Sequence, residues 1–144
     1  MDIRIIEQPN YDLQIIIQCR KIDEKILSLK KYIELFDQKL IAKKDNRQYI
    51  INISDILYFE TVDNYTFLYT KDEVLEVRLR LYELEYLLPN QDFIRISKSL
   101  IVNINKINCL KPELNRTILL TMCNGEHLHI SRRYVPAFKK LLSI

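Results

Sequence analysis

FIRISKSLIVNINKI, residues 93–107, reads as one long buried strand with a charge set into its middle. Counting in twos from Ile94 places Ile96, Lys98, Leu100, Val102 and Ile104 on one face, so a straight strand would bury an ammonium among five aliphatic side chains. An unpaired lysine is not stable there. The conflict disappears if FIRI and SLIVNI are two strands and Ser97-Lys98-Ser99 is the bend between them. Serine hydroxyls bond readily to nearby backbone groups, and the bend throws the lysine outward. A lysine at a tip, flanked by two hydroxyls, suits contact with phosphates and base edges; it is equally an ordinary polar loop.

Outward from this stretch the chain keeps a β-rich texture. QYIINI, ILYFETV, YTFLYT and VLEVR precede it, LYELEYLL ahead of Pro89 predicts a short helix, and TILLTMC and EHLHI follow. SRRYVPAFKKLLSI predicts a turn running into a final helix. Asn124-Gly125 is a hairpin signal because both residues tolerate positive φ, and Asp63-Asn64 is a second, between ILYFETV and YTFLYT. Near the start, DIRIIE and LQIIIQC predict two short strands on either side of Pro9 and Asn10. Ile22, Ile26, Leu29, Ile33 and Phe36 then recur at helical spacing, with Asp23 and Glu24 favouring the helix start and Lys30 and Lys31 nearer its end. That apolar stripe needs a cover, either the following domain or a second copy of the chain. The expected architecture is mainly β, α+β overall: a short β-β-α segment over residues 1–40, then a β domain with short helices over residues 41–144.

At 144 residues and 48% apolar composition the chain can bury a sizeable core. No apolar run reaches the roughly 18 residues of a spanning helix, and MDIRIIEQPN has acids and a proline where a secretion signal would be basic and then apolar, so a cytoplasmic protein is expected. Cys19, Cys109 and Cys123 are odd in number, show no CxxC spacing and sit in apolar stretches, which predicts reduced, buried thiols. Gly125 is the only glycine, which excludes a glycine-rich phosphate loop or a dinucleotide fingerprint. His127 and His129 share one face of a strand, opposite Leu128 and Ile130. A metal site would need a third ligand such as Cys123; solvent-facing imidazoles over a core-facing Leu128 and Ile130 are the simpler reading. Ser97, Ser99 and Ser131 lack the setting of a catalytic nucleophile. The expectation is a non-enzyme with no cofactor, no metal and no small-molecule substrate.

Charge separates along the chain. Residues 92–144 hold nine basic and three acidic side chains, a balance of +6, whereas residues 41–91 hold six and nine. A basic third invites an anionic partner, although a solvated basic surface is a common alternative. Ser97-Lys98-Ser99, Ser131-Arg132-Arg133 and Asp63-Asn64-Tyr65-Thr66 would then be three polar tips on one scaffold.

DILYFETVDNYTFLYT, FIRISKSLIVNINKI and NGEHLHISRRYV, in this order and spacing, resemble the LytTR DNA-binding domain of bacterial transcription regulators, over roughly residues 41–144. The resemblance implies an elongated set of β-sheets whose loops enter successive major grooves of double-stranded DNA, commonly at direct repeats near promoters. Carried over by position, it implies base contacts by Lys98, Arg133, Asn64, Tyr65 and Thr66, and phosphate contacts by Ser97, Ser99, Arg132 and Lys71. Some members have a histidine in the first loop, which this chain lacks. The chain is similar to small stand-alone members: a receiver needs about a hundred residues or more, and 40 precede the domain. Residues 1–40 would instead dimerise the protein or dock a membrane or protein partner. The alternative is a protein-interaction module or anti-activator of the same fold that does not bind DNA.

Overall fold

A computed structural model describes residues 1–36, 38–88 and 92–144, without the side chains of residues 31, 32 and 34–36. Pro89 and the Phe36 side chain of the expected stripe lie outside it. One antiparallel sheet has the order β2-β1-β5-β4-β3-β7-β6, from β1 (Lys39–Lys44), β2 (Arg47–Asn52), β3 (Tyr58–Val62), β4 (Tyr65–Tyr69), β5 (Val74–Val77), β6 (Phe93–Arg95) and β7 (Leu100–Asn103). A second has the order β10-β9-β8, from β8 (Ile107–Pro112), β9 (Ile118–Met122) and β10 (His127–Ile130). The described helices are α1 (Glu24–Phe36), α2 (Leu81–Leu87) and α3 (Val135–Leu142).

FIRISKSLIVNINKI folds back on itself. β6 and β7 pair antiparallel, with Ile94 opposite Val102 and Arg95 opposite Ile101, and Lys98 stands exposed at the reversal. The two faces of the large sheet then bury different cores. Phe59 and Ile101, cross-strand partners, pack with Leu81 and Leu84 of α2. Tyr58 and Val102, the next pair along, face the other way with Ile96, against Leu120 and Ile130 of the small sheet and Phe138 of α3. The sheet is therefore apolar on both faces in its centre, and each fully buried aromatic or aliphatic side chain contributes about 1.5–3 kcal/mol. Asn103 is buried with its partners supplied: its amide donates to the Ile56 carbonyl at 2.8 Å and its side-chain oxygen accepts from the Asn105 N–H at 3.0 Å.

The turns follow their chemistry. Asp63 and Asn64 both have positive φ, 50° and 68°, as a two-residue hairpin loop twisted to match its strands requires. Asp45 and Asn46 do the same between β1 and β2, at 51° and 62°. At Asn124-Gly125 only the glycine is left-handed, at 88°; Asn124 instead accepts the Glu126 N–H on its side chain at 3.1 Å.

Several expectations change. DIRIIE and LQIIIQC form no strands: a turn closes from the Tyr11 N–H to the Gln8 carbonyl at 3.2 Å, but neither arm has a ladder partner, and Ile3, Ile5, Leu13 and Ile15 stay exposed. A strand needs an edge to pair with, and apolar content alone does not supply one. Cys19, Cys109 and Cys123 are free as expected but exposed rather than buried. Cys109 lies on the outer, mostly exposed β8, and Cys123 on the turn after β9. α1 forms where its stripe predicted, capped by the Asp23 carboxylate on the Ile26 N–H at 2.9 Å. It packs beside the short turn Ile53–Asp55, with Ile26, Leu29 and Ile33 half-buried and Ile22 left exposed.

A tyrosine pair joins the two sheets. The Tyr58 and Tyr69 rings stack 4.2 Å apart, the Tyr58 hydroxyl donates to Glu126 at 2.5 Å and the Tyr69 hydroxyl to Glu60 at 3.1 Å. Burial and then the neighbouring carboxylates push the Tyr69 phenol up to about 12, and burial followed by the Glu126 hydrogen bond raises Tyr58 further. The folded state holds these protons more tightly than the unfolded chain, so the Tyr69 contribution is complete below pH 10 and is lost as pH climbs through about 12, and that of Tyr58 persists to higher pH. We expect Tyr69→Phe to flatten the decline of melting temperature between pH 10 and 12 relative to wild type; equal slopes would mean the phenol is not linked to folding.

Candidate nucleic-acid interface

Three turns meet at one end of the large sheet because of two main-chain bonds. The Thr61 N–H donates to the Ser99 carbonyl at 2.9 Å, which brings the β6–β7 tip alongside the β3–β4 turn. The Ser131 N–H donates to the Ile96 carbonyl at 2.9 Å, which brings the end of β10 to the base of the same tip. The predicted trio Asn64, Lys98 and Arg132-Arg133 thus shares one end of the molecule.

The tip itself is tightly bonded. The Ile96 N–H donates to the Leu100 carbonyl at 3.0 Å and closes the hairpin, and the Ser99 N–H donates to the Ser97 hydroxyl at 3.2 Å, the local serine bonding that the sequence suggested. Arg95 reaches over from the end of β6: its Nε donates to the Ser97 carbonyl at 2.8 Å, one Nη to the Lys98 carbonyl and the other to the Glu85 carboxylate of α2. Lys98 itself is exposed, whereas Ser97 and Ser99 are half-buried.

Beside the tip lies a shallow cavity of about 210 Å³ lined by Thr61, Asn64, Thr66, Arg80, Leu81, Tyr82, Arg95 and Lys98. Asn64 and Tyr65 are exposed on the first turn, but Thr66 is buried, opposite both Thr61 and Val77 in the sheet. Arg132 and Arg133 are exposed on the single turn Arg132–Tyr134 that leads into α3, the Arg133 guanidinium 5.9 Å from the centre of the Tyr134 ring. Lys71 is not gathered with them: it sits on the β4–β5 turn, at the other end of β4, roughly 17 Å away at about 3.4 Å per residue.

Two cations were missed by the sequence reading. Val77 is opposite Thr66, so Arg78 and Arg80, which follow it, emerge at the same end as Lys98. The signal was the RLR step after VLEV, two arginines placed between a strand and a helix start. His127 and His129 face outward from a strand whose Leu128 and Ile130 are buried, and they take separate partners, Thr121 at 3.2 Å and Glu113 at 3.0 Å.

A β scaffold that gathers exposed arginines, a lysine and polar turns at one end suits a polyanionic partner. The chain belongs to the LytTr DNA-binding domain family, which matches residues 46–143. An uncharacterised HTH-type transcriptional regulator of Staphylococcus aureus (strain NCTC 8325 / PS 47) is 36% identical over 130 residues, covering 89% of this chain and 88% of that protein, and one from strain COL is equally similar. A solved LytTr DNA-binding domain from Bacillus cereus is 33% identical with a TM-score of 0.72, covering 75% of this chain and 99% of that chain. The helix-turn-helix in the relatives' description has no counterpart among the described residues, where strands separate α1, α2 and α3 in the chain. No described helix is long and apolar enough to cross a membrane.

Because Lys98 stands outside both cores, Lys98→Leu should move stability by no more than about 0.5 kcal/mol in a denaturant titration. A clear gain in stability would show that this position belongs to an apolar face.

Proposed function

We propose that the protein is a sequence-specific, cytoplasmic DNA-binding transcriptional regulator whose turns enter successive major grooves at promoter-proximal repeats. The observation that supports this most is the pair of bonds from Thr61 to Ser99 and from Ser131 to Ile96, which gathers Asn64, Lys98, Arg132 and Arg133 at one end of a rigid sheet pair. Family membership supplies the DNA-binding part of the reading. In it, Lys98 and Arg133 touch base edges: arginine can span the N7 and O6 acceptors of guanine as a fork, and lysine reaches the same atoms as a point donor. Asn64 and Tyr65 flank them, with Thr66 holding the turn from within. Ser97, Ser99 and Arg132, joined by Arg78 and Arg80, meet phosphates and set the register without reading sequence.

Selection of bound sequences from a random duplex pool, followed by titration, tests the proposal. Affinity should fall with salt at a log-log slope of about −0.9 for each phosphate contacted. Lys98→Ala and Arg133→Ala should each weaken the preferred duplex by about 1–3 kcal/mol and relax discrimination at one base pair, while Arg132→Ala weakens all duplexes alike. No enrichment in the pool, together with a flat salt response, would leave a protein-interaction module.

Residues 1–22 add a second element to the proposal. Nine large apolar side chains, Met1, Ile3, Ile5, Ile6, Tyr11, Leu13, Ile15, Ile16 and Ile22, are exposed on this segment, which supports self-association through it. Sedimentation should give a dimer that Ile5→Ser with Ile15→Ser converts to a monomer of unchanged melting temperature. A monomeric wild type would remove this element.

A further inference from the structure

We propose that Arg95 is a positioning residue for DNA reading: its guanidinium holds the Ser97-Lys98-Ser99 tip in one conformation and anchors it to α2 through Glu85. This rests on the reading of Lys98 as a base contact.

The geometry is specific to arginine. One planar group satisfies three acceptors at once, the carbonyls of Ser97 and Lys98 and the carboxylate of Glu85. A guanidinium presents its donors in a fixed plane, so two successive carbonyls bound to it cannot rotate independently; an ammonium, as a point charge on a flexible stem, imposes no such constraint. The carbonyls of Ser97 and Lys98 lie in the bend, outside the ladder that pairs β6 with β7, so without Arg95 they would turn to water. Arg95 is mostly covered, its side chain 23% exposed, and its charge is answered by Glu85. It is therefore committed inward, unlike the exposed Lys98, Arg132 and Arg133.

The consequence is preorganisation. A three-residue tip free to move would have to be ordered whenever Lys98 met a base, and that ordering would subtract from affinity for the correct duplex. Phosphate contacts made elsewhere would be unaffected, so the clamp acts on specificity rather than on general attraction to DNA. Glu85 sets the angle of the guanidinium and makes α2 the fixed wall against which the tip is held.

The test uses the full chain with Arg95→Gln, Arg95→Lys and Glu85→Gln. Amide hydrogen exchange at residues 97–100 is measured without DNA, and titrations use a duplex selected from a random pool and a scrambled one. We expect Arg95→Gln to speed exchange at the tip and weaken the selected duplex roughly ten-fold, the scale of losing one ordered contact. The scrambled duplex should weaken by clearly less than the selected one, through the tip serines alone, and the salt slope should stay unchanged because those serines carry no charge. Arg95→Lys should not rescue, and Glu85→Gln should shift both readouts in the same direction by less. Glu85 is 44% exposed at its side chain, so its variant keeps the test alive should Arg95→Gln fail to fold. Unchanged tip exchange would overturn the clamp. Rescue by lysine, or a salt slope lowered by about 0.9, would make Arg95 a phosphate contact instead. Lys98→Ala run alongside separates the two ideas: if it spares the selected duplex, base reading by Lys98 fails, whereas the clamp is judged by exchange.

Discussion

The main chain of Ile96 is shared between the two sheets, and the placement of the basic tips follows from it. Its N–H closes the β6–β7 hairpin on Leu100, its carbonyl takes the Ser131 N–H from the end of β10, and its side chain is fully buried in the core between the sheets. One residue thus fixes how the Lys98 tip and the Arg132-Arg133 turn stand relative to each other. The arrangement needs the reversal at Ser97-Lys98-Ser99: a straight strand would send this carbonyl elsewhere and sink the lysine into an apolar face.

The parts of the fold that were legible in the sequence are those where burial writes a pattern. β3, β4, β7, β9 and β10 each place side chains in a core, and the turns Asp63-Asn64 and Asn124-Gly125 carry residues that left-handed or side-chain-bonded backbone demands. β1 and β8 were not legible for the opposite reason. Lys39–Lys44 buries only Ala42 and Ile107–Pro112 buries nothing fully, so their hold is the backbone ladder, which any side chain can accompany. DIRIIE and LQIIIQC show the converse: strong strand composition in segments that join none of the described sheet edges.

The candidate site divides the same way. Lys98 was visible because it broke an apolar run, and Arg133 only through the family resemblance; the structure places Arg133 exposed on the turn before α3. Arg78 and Arg80 were not, since their position depends on Val77 lying opposite Thr66, a fact of register rather than of composition. Thr66 and Lys71 illustrate the limit of proximity in sequence: the first points into the sheet next to an exposed turn, and the second lies one strand length away from it. Arg95 read as an ordinary strand residue, and only the three acceptors around it give it a distinct role.

The stiffness of the scaffold bears on how such a surface could discriminate between sequences. The sheets are tied at Ile96, again through Tyr58 and Glu126, and by a continuous core from Val102 to Phe138. The distance between the Lys98 tip and the Arg133 turn is therefore set by packing, and changing it would mean opening a close-packed interior. A partner that fits one tip must present its second contact at the separation the core dictates. Exposed lysines on flexible loops could satisfy many spacings of phosphate; cations hung from a shared carbonyl satisfy few. If the basic end reads DNA as proposed, the bonds that make the core whole would also make that end selective, and loss of either sheet's hold on Ile96 would reduce the surface to general attraction for negative charge.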